Sequence, residues 1–508
     1  MVTAPATQPD VTAPPSAVFD TFNARDVDAA RGFYSKYVDL QGLSILAGAD
    51  VSDEALIRTH EIVSHLLAGR PDVLAEMKRV HTHLAIIGKD QVYTDLPEYR
   101  YEPNPAYVNE RVRGTGGLDV TSFGEENLLN LPIDRYDDES IAVHEFFHTI
   151  DAALTHIDPE WRNRLTATYR NALDHGRWKR AYAGGNPDEY WAEIAQSYFD
   201  CNRVNNWNHT NVHSREQLRM YDPEGYELVR TTMRLTSAND WRYQPVRPQP
   251  SVVAPPARFK VDPYYTKFSY ARELPIIASE QVNDIALLCA NDTVRKLFAY
   301  RHDLLKALIN DRSKLVILGR HERLSQLPEL RSAASTQPAW DEARWMDYSS
   351  QSKVMVVPEE NILHDSSDPA ACESLVVKVL ARAVFAIAAR RPVDPSWDRR
   401  PPEIWQQYEL HVDRLDERFG RTVDELLAKA RAKKLWQGTS AQNDAESYWC
   451  AGVEAYFDAA GTGEPPLDAD RPINTREILR TYDPDLFALV DKTFGYSGRV
   501  DWRFKPSN

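Results

Sequence analysis

The spacing of apolar residues along the chain predicts helices interrupted by a few short strands. Residues 53–67 carry apolar side chains at helical intervals and predict an amphipathic helix. Residues 161–173 are also predicted to be helical, and Asn186-Pro187 is a favourable start for a further helix. The apolar run at 83–88 predicts a short buried strand, and residues 126–132 predict a second strand. This mixture favours an α+β fold in each half of the chain.

A helix predicted over residues 139–151 carries two histidines and a glutamate among apolar neighbours. His144 and His148 are four residues apart, so they lie on one helical face and can direct two imidazoles at one metal ion. Glu145 lies beside them, where it can reach a water molecule on that metal. Burying two histidines and a glutamate among apolar neighbours without a metal would be costly. The motif therefore predicts a zinc site.

A catalytic zinc usually has three protein ligands, and the candidates for the third lie downstream. Glu189 and Glu193 are four residues apart on one helical face, where two carboxylates repel each other unless a cation is near. We predict Glu189 as the ligand and Glu193 as the partner of a ligand histidine. Two alternatives remain: Glu193 is the ligand, or Glu189 forms a capping box with Asn186.

The sequence is internally duplicated. Residues 68–100 align without a gap on residues 299–331, and Tyr190-Trp191 returns as Tyr448-Trp449. Solenoid repeats have periods of tens of residues, whereas this period exceeds 200 residues. The duplication therefore indicates two copies of a whole domain.

The second copy has lost the candidate chemistry while keeping the packing residues. Lys378, Val379, Arg382, Ser447 and Ala451 replace His144, Glu145, His148, Glu189 and Glu193. Their joint loss favours one shared chemical role. A buried, unpaired Lys378 or Arg382 would be costly, so we expect an ion pair to close the altered site or the site to open to solvent. Glu446 and Glu454 are carboxylates close by in the chain.

Composition places the domain boundaries. Residues 244–258 are rich in proline and predict an extended linker. Residues 1–30, rich in alanine, proline and threonine near their start, are expected to be disordered. A catalytic domain at 31–243 and a silent repeat at 259–508 follow from these limits.

Charge and cysteine content narrow the class of protein. A net charge of −15 argues against nucleic-acid binding and, more weakly, against anionic membranes. No apolar stretch long enough for a transmembrane helix and no signal peptide are recognised, and the four cysteines form no CxxC pair. A cytoplasmic location, with a substrate as the only indicated partner, is the expectation; the oligomeric state is not indicated.

The first half resembles the anthrax-lethal-factor-like zinc metallopeptidases of the gluzincin group. The resemblance rests on residues 144–151 and 189–193 and covers roughly residues 53–241. It implies two zincin-like domains, mainly helical with a small sheet, of which the second lacks the metal site. It also supports Glu189 as zinc ligand and implies that Tyr182, seven residues earlier, stabilises an oxyanion.

The sequence departs from the family pattern at three positions, which affects the expected substrate preference and not the metal. Trp191 stands where the family usually has a smaller aromatic residue, and Gln196 and Ser197 stand where it often has an acidic one. The family architecture also suggests that residues 126–131 offer a strand edge to an extended peptide.

The combined interpretation is a zinc-dependent hydrolase, best an endopeptidase, with one Zn²⁺ in the first half. The assigned roles are catalytic for Glu145 and Tyr182, metal-binding for His144, His148 and Glu189, and supporting for Glu193 and Asp151. One alternative is a tailoring enzyme that acts on a small molecule. Another is a scaffold with a structural zinc, which would need neither Glu145 nor Tyr182.

Overall fold

The protein forms two compact units, Met1–Gln249 and Pro250–Asn508, each with its own small sheet. The computed structural model describes residues 8–136, 139–179, 181–203, 209–299, 301–331, 342–365, 368, 370, 372–389, 392–393, 415–461, 472–495 and 502–504. The overall class is mixed α and β, compatible with α+β.

The first unit contains a five-stranded sheet. Its strands are β1 (Tyr34–Leu40), β2 (Leu43–Gly48), β3 (His83–Ile87), β4 (Gly114–Thr115) and β5 (Val120–Gly124), in the order β1-β2-β3-β5-β4. The three inner strands are parallel, and the strands at both edges are antiparallel to their neighbours. The predicted strand at 83–88 is confirmed as β3, buried along its whole length. The short strand β4 ends the sheet on one side.

Eleven α-helices are described around this sheet. They are α1 (Ser16–Phe19), α2 (Val27–Phe33), α3 (Asp53–Leu67), α4 (Pro71–Arg79), α5 (Pro105–Arg111), α6 (Glu125–Leu128), α7 (Ile141–Ile157), α8 (Trp161–Asp174), α9 (Pro187–Tyr198), α10 (Arg215–Tyr221) and α11 (Pro223–Thr232). The predicted helices at 53–67 and 161–173 are confirmed as α3 and α8, and the predicted start at Asn186-Pro187 is the start of α9. Apolar faces of α3, α7 and α9 share one core with the sheet.

The strand expected at 126–132 is wrong, because the chain forms α6 at Glu125–Leu128. Long-range polar contacts fix this turn. The Glu125 carboxylate accepts hydrogen bonds from the backbone N–H groups of Ser52 and Lys89, and Glu126 forms a buried ion pair with Arg113. No strand edge is therefore offered by residues 126–131.

The expected disorder of residues 1–30 is also wrong for residues 8–30. Thr12 exchanges two backbone hydrogen bonds with Tyr37 of β1, at 2.9 and 2.8 Å. Phe19 is buried, and Phe22 packs against the ring of His83 at 4.5 Å between centroids. These aromatic contacts hold the segment around α1 against the sheet. The composition of residues 1–30 did not reveal them.

The predicted linker 244–258 does not begin at residue 244, because its first residues pack on the first unit. The Val246 N–H donates to the Asn130 side chain at 2.9 Å, and Arg247 donates to the Leu129 carbonyl at 2.8 Å. Arg247 also pairs with Glu54 at 2.7 Å. The boundary between the two units lies at Gln249/Pro250.

The second unit repeats much of this element order. A four-stranded sheet has the order β6 (Lys267–Ala271), β7 (Leu274–Ala278), β8 (Lys314–Leu318), β9 (Val354–Pro358). The described helices are α12 (Asp284–Leu297), α13 (His302–Asn310), α14 (Glu359–Ile362), α15 (Leu375–Ala388), α16 (Glu417–Ala432), α17 (Ala445–Tyr456), α18 (Arg476–Tyr482) and α19 (Pro484–Thr493).

Matching contacts join the helices inside each unit. The Trp191 indole donates to the Phe147 carbonyl at 3.1 Å, and the Trp449 indole donates to the Ala381 carbonyl at 3.3 Å. Trp191 is fully buried, so its bulk is used in packing α9 against α7.

Within the described ranges, no helix combines the length and apolarity that a membrane crossing requires.

Candidate metal centre

Helices α7 and α9 lie against each other and bring three potential ligands together. The Ser140 hydroxyl caps α7 by accepting from the Val143 N–H. The Asn186 side chain caps α9 by accepting from the N–H groups of Asp188 and Glu189, at 2.9 and 2.8 Å. This cap leaves the Glu189 carboxylate turned toward the histidines of α7.

The three ligand atoms are spaced as a tetrahedral metal would hold them. His144 Nε2 lies 3.2 Å from His148 Nε2 and 3.2 Å from Glu189 Oε2, and His148 Nε2 lies 3.5 Å from Glu189 Oε2. A tetrahedral zinc with bonds of about 2.0–2.1 Å places neighbouring ligand atoms about 3.3 Å apart. The side chains therefore fit a zinc ion without rearrangement of either helix.

The charges of these groups are strongly coupled. Burial alone would lower the pKa of His144, but its hydrogen bond to Glu189 and the nearby carboxylates raise that pKa well above the ordinary value. Burial would raise the pKa of Glu189, but hydrogen bonds to both histidines lower it instead. The carboxylates around His144 thus favour a positive charge at this point, and a bound cation would supply that charge in place of the histidine proton.

Gln196 orients the His144 ring by a hydrogen bond, whereas the sequence predicted Glu193 as the partner of a ligand histidine. His144 Nδ1 lies 2.9 Å from Gln196 Oε1 and 3.6 Å from Glu193 Oε1. The Gln196 amide is itself held, since it donates to the Ser140 carbonyl at 3.1 Å. With Nδ1–H donating to Gln196, Nε2 is left to bind a metal. Its position seven residues after Glu189, on the same helical face, was the signal available in the sequence.

Glu193 lies beside His144 and is held from both of its oxygens. Oε2 accepts from the Asn202 side chain at 3.2 Å, and Oε1 lies 3.2 Å from His209 Nε2. Burial would raise the pKa of Glu193, but the charge of His209 and its hydrogen bond lower it. Glu193 is therefore a supporting carboxylate, and its contacts reach His209, which the sequence did not single out.

Glu145 lies next to the ligands, against a glycine-containing loop that follows β4. Burial raises the pKa of Glu145, while both histidines and a hydrogen bond from the Gly116 N–H lower it in part. A Cβ atom on Gly116 would overlap the Glu145 carbonyl oxygen and the His148 Cβ. Only glycine lets the backbone come this close, so Gly116 is a further site residue that the sequence did not single out.

Tyr182 lies beside the ligand cluster. It begins a short 3₁₀ turn, Tyr182–Gly184, and its ring centroid is 6.0 Å from that of His144. Burial and the charges of Glu189 and Glu145 raise its pKa well above the ordinary value, and it hydrogen-bonds to Glu189. The phenol therefore stays protonated and can donate a hydrogen bond.

Asp151 does not share the contacts of the cluster. Its carboxylate accepts from the Trp161 indole at 2.5 Å and from Arg162 at 2.7 Å, and Arg162 also pairs with Asp188. These contacts fix the start of α8 to α7 and occupy the carboxylate. The supporting role assigned to Asp151 from sequence therefore gives way to a structural one.

In the second unit, ion pairs close the corresponding site, as predicted. Lys378 Nζ lies 3.2 Å from Glu373 and 3.9 Å from Glu454. Arg382 lies 3.3 Å from Glu446 and 3.2 Å from Asp347. Glu446 and Glu454, the two carboxylates noted in the sequence, are both among the partners.

Another group of possible ligands among the described residues is Glu139, Glu193 and His209. Arg203 lies 2.9 Å from Glu139, so a guanidinium already supplies positive charge at this point. The triad of His144, His148 and Glu189 is the better metal site, because its donors lie at tetrahedral spacing and no arginine or lysine pairs with its carboxylate among the described contacts.

No protein-family model, no curated protein and no solved structure matches this chain.

Proposed function

We propose that the protein is a zinc-dependent hydrolase, best an endopeptidase, with one Zn²⁺ in the first unit. The observation that carries the proposal is the near-tetrahedral spacing of His144, His148 and Glu189. Three protein ligands are typical of a catalytic zinc, which keeps one position for water or substrate, whereas a structural zinc usually has four. In this proposal the first unit is a zincin-like domain and the second a degenerate copy of it.

Bound zinc would lower the pKa of water toward ~7 and polarise a scissile carbonyl. Glu145 accepts the proton of the attacking water and returns it to the leaving amine. Its burial favours this role, because a carboxylate with a raised pKa is a better match for proton transfer near neutral pH. The hydrogen bond from Gly116 holds the carboxylate beside the ligands.

Tyr182 donates a hydrogen bond to the oxygen that gains negative charge in the transition state. Its raised pKa keeps the phenolic proton in place, and its contact with Glu189 places the hydroxyl at the edge of the ligand cluster. A purely structural zinc would need neither this phenol nor Glu145.

An extended peptide is the substrate that the sheet favours. Strand β4 ends the sheet, so only its β5 side is paired within the sheet order, and the loop after β4 contacts Glu145 and His148. A peptide added along this edge would run directly past the proposed base. A small-molecule substrate would use the same residues without this edge.

The test is digestion of a diverse peptide mixture by the zinc-loaded, full-length protein, with new termini identified by mass spectrometry. We expect cleavage that is lost in Glu145→Gln, while elemental analysis still finds zinc in that variant. Cleavage by Glu145→Gln at the wild-type rate would contradict the role of Glu145. Zinc binding without cleavage of any peptide would favour the small-molecule alternative, and failure of the wild-type protein to bind zinc would overturn the proposal.

A further inference from the structure

A buried histidine outside the proposed catalytic set contacts two residues of the site. His209 follows α9 in the chain and lies in no helix or strand, yet it is only 6% exposed. Its Nε2 lies 3.2 Å from Glu193 Oε1. Its ring stacks on Tyr182, with centroids 6.1 Å apart and planes inclined by 24°. His209 thus contacts both Glu193, which lies beside the candidate ligand His144, and Tyr182, the proposed oxyanion donor.

The contact with Glu193 acts on His144. Glu193 Oε1 faces both His209 Nε2 and His144 Nδ1, at 3.2 and 3.6 Å. The second oxygen is held by Asn202 at 3.2 Å. Removing the imidazole would leave a buried carboxylate with one partner fewer and allow it to turn away from His144. Such partners of ligand histidines orient the ring and raise its affinity for metal.

A second carboxylate, Glu139, also links His209 to the residues that support His144. Glu139 lies 3.9 Å from His209 Nε2 and pairs with Arg203 at 2.9 Å. The Gln196 amide, which directs the His144 ring, donates to Glu139 at 3.4 Å. His209 therefore belongs to a network that touches His144 by two routes, through Glu193 and through Glu139 and Gln196.

The duplication gives an independent argument. The second half contains no histidine after His411, so nothing equivalent to His209 exists there. Its partner is lost too, since Ala451 stands at the position of Glu193. The packing residues Tyr448 and Trp449 remain buried in α17. A histidine needed only for packing would not be expected to vanish together with the metal ligands.

We propose that His209 is a positioning residue that holds Glu193 against His144 and packs Tyr182 over the site. The inference rests on the proposed zinc site of the first unit. His209 is not expected to contact the metal or the substrate. Its effect is on how tightly zinc is held and on where the Tyr182 hydroxyl points.

The experiment uses the full-length protein and three single variants. His209→Phe keeps a flat ring against Tyr182 and loses the contact with Glu193. His209→Gln keeps a donor for Glu193. His213→Phe is the matched control, a histidine in the same segment whose Nδ1 lies 3.1 Å from the Asn211 carbonyl. Zinc affinity is measured by competition with a chromophoric chelator, and the metal geometry by the visible spectrum of the Co²⁺-loaded protein.

We expect His209→Phe to weaken zinc binding by roughly tenfold and to alter the Co²⁺ spectrum. His209→Gln should recover most of the affinity, and His213→Phe should match the wild type. Thermal unfolding of the metal-free proteins reports any general loss of stability, which should be similar for His209→Phe and His209→Gln.

Three results would overturn the inference. One is wild-type zinc affinity in His209→Phe. A second is an equal loss of affinity in His209→Phe and His209→Gln that follows a loss of metal-free stability, which would indicate a structural role. The third is a second equivalent of zinc that disappears in His209→Phe, which would make His209 a ligand. If the wild-type protein binds no zinc, the proposed function fails instead.

Discussion

The orientation of one imidazole decides whether three side chains form a metal site. His144 can present Nε2 to a metal only while Nδ1–H donates elsewhere, and Gln196 Oε1 accepts it at 2.9 Å. The sequence predicted the ligands because i,i+4 spacing on a helix fixes which side chains share a face. It also predicted Glu193 as the partner of a ligand histidine, whereas the shorter contact to His144 Nδ1 is made by Gln196, at 2.9 Å against 3.6 Å.

Replacing Gln196 tests this support directly. Gln196→Met keeps the volume and removes the acceptor, so zinc affinity should fall by about 10–100-fold. Gln196→Glu keeps an acceptor for His144 and should bind zinc far more tightly than Gln196→Met. Chelator competition on the full-length proteins measures both. Equal zinc affinity in the two variants would show that the acceptor is not what matters.

In the second unit, Glu454 occupies the position of Gln196, and its contribution to the stability of the folded state depends on pH. Burial raises its pKa to about 7, with Lys378 lowering it in part. The folded state therefore holds a proton that the unfolded chain releases at lower pH. The contribution of Glu454 to the free energy of unfolding should fall as pH rises from about 4.5 to about 7 and stay low above that.

Glu454→Gln should remove this pH dependence. The free energy of unfolding of the variant minus that of the wild type should therefore be larger at about pH 7.5 than at about pH 5, by on the order of 1–3 kcal/mol. Urea unfolding at the two pH values measures the difference. Glu425→Gln, which removes an exposed carboxylate from α16, is the control and should keep the wild-type slope. A wild-type slope in Glu454→Gln would mean that Glu454 is ionised across the whole range.

At the scale of elements, periodicity predicted the long helices and failed for the short segment after β5. An apolar run of a few residues does not distinguish a strand from a helical turn. Here the choice is made by Glu125 and Glu126, whose partners Ser52, Lys89 and Arg113 are distant in the chain. The segment carrying His209 has no periodicity at all, so its place beside the site could not be predicted.

The close approach of the loop after β4 to α7 depends on a glycine. In Gly116→Ala, the new methyl group would collide with backbone and Cβ atoms of α7 and push the loop away from Glu145. Hydrolysis should fall at least tenfold, since a displacement of about 1 Å at an active site is costly. Zinc binding should be less affected, because the nearest atoms that the new methyl group would meet are the backbone C and O of Glu145 and the Cβ of His148, none of which is a ligand nitrogen or oxygen.

The control for this substitution is Gly32→Ala on α2, where an added Cβ meets no atom within 4 Å. Activity and zinc content of the two variants are measured side by side. Full activity in Gly116→Ala would show that the contact between the loop and Glu145 is not required.

At the scale of the whole molecule, the candidate metal ligands lie in the first unit, and Lys378, Arg382 and Ser447 stand at the matching positions of the second. The apolar core around α3, α7 and α9 is built from residues between Val38 and Tyr243, with Val11 packed against it. The first unit therefore has a complete core of its own. Arg247 and Val246 extend its contacts past that core, to Glu54, Leu129 and Asn130.

The first unit should accordingly fold alone, and its end point should matter. We expect residues 1–249 to be soluble, to unfold cooperatively and to bind one equivalent of zinc. Residues 1–243 lack the Val246 and Arg247 contacts, each worth about 1 kcal/mol, and should unfold roughly 5 °C lower or more. Calorimetry and elemental analysis of both fragments measure this.

If residues 1–249 are insoluble or bind no zinc while the full chain binds one equivalent, the second unit is an obligatory support for the first. If the fragment keeps full zinc and full activity, an obligatory supporting role of the second unit is ruled out, and binding of a partner is the better explanation of that unit.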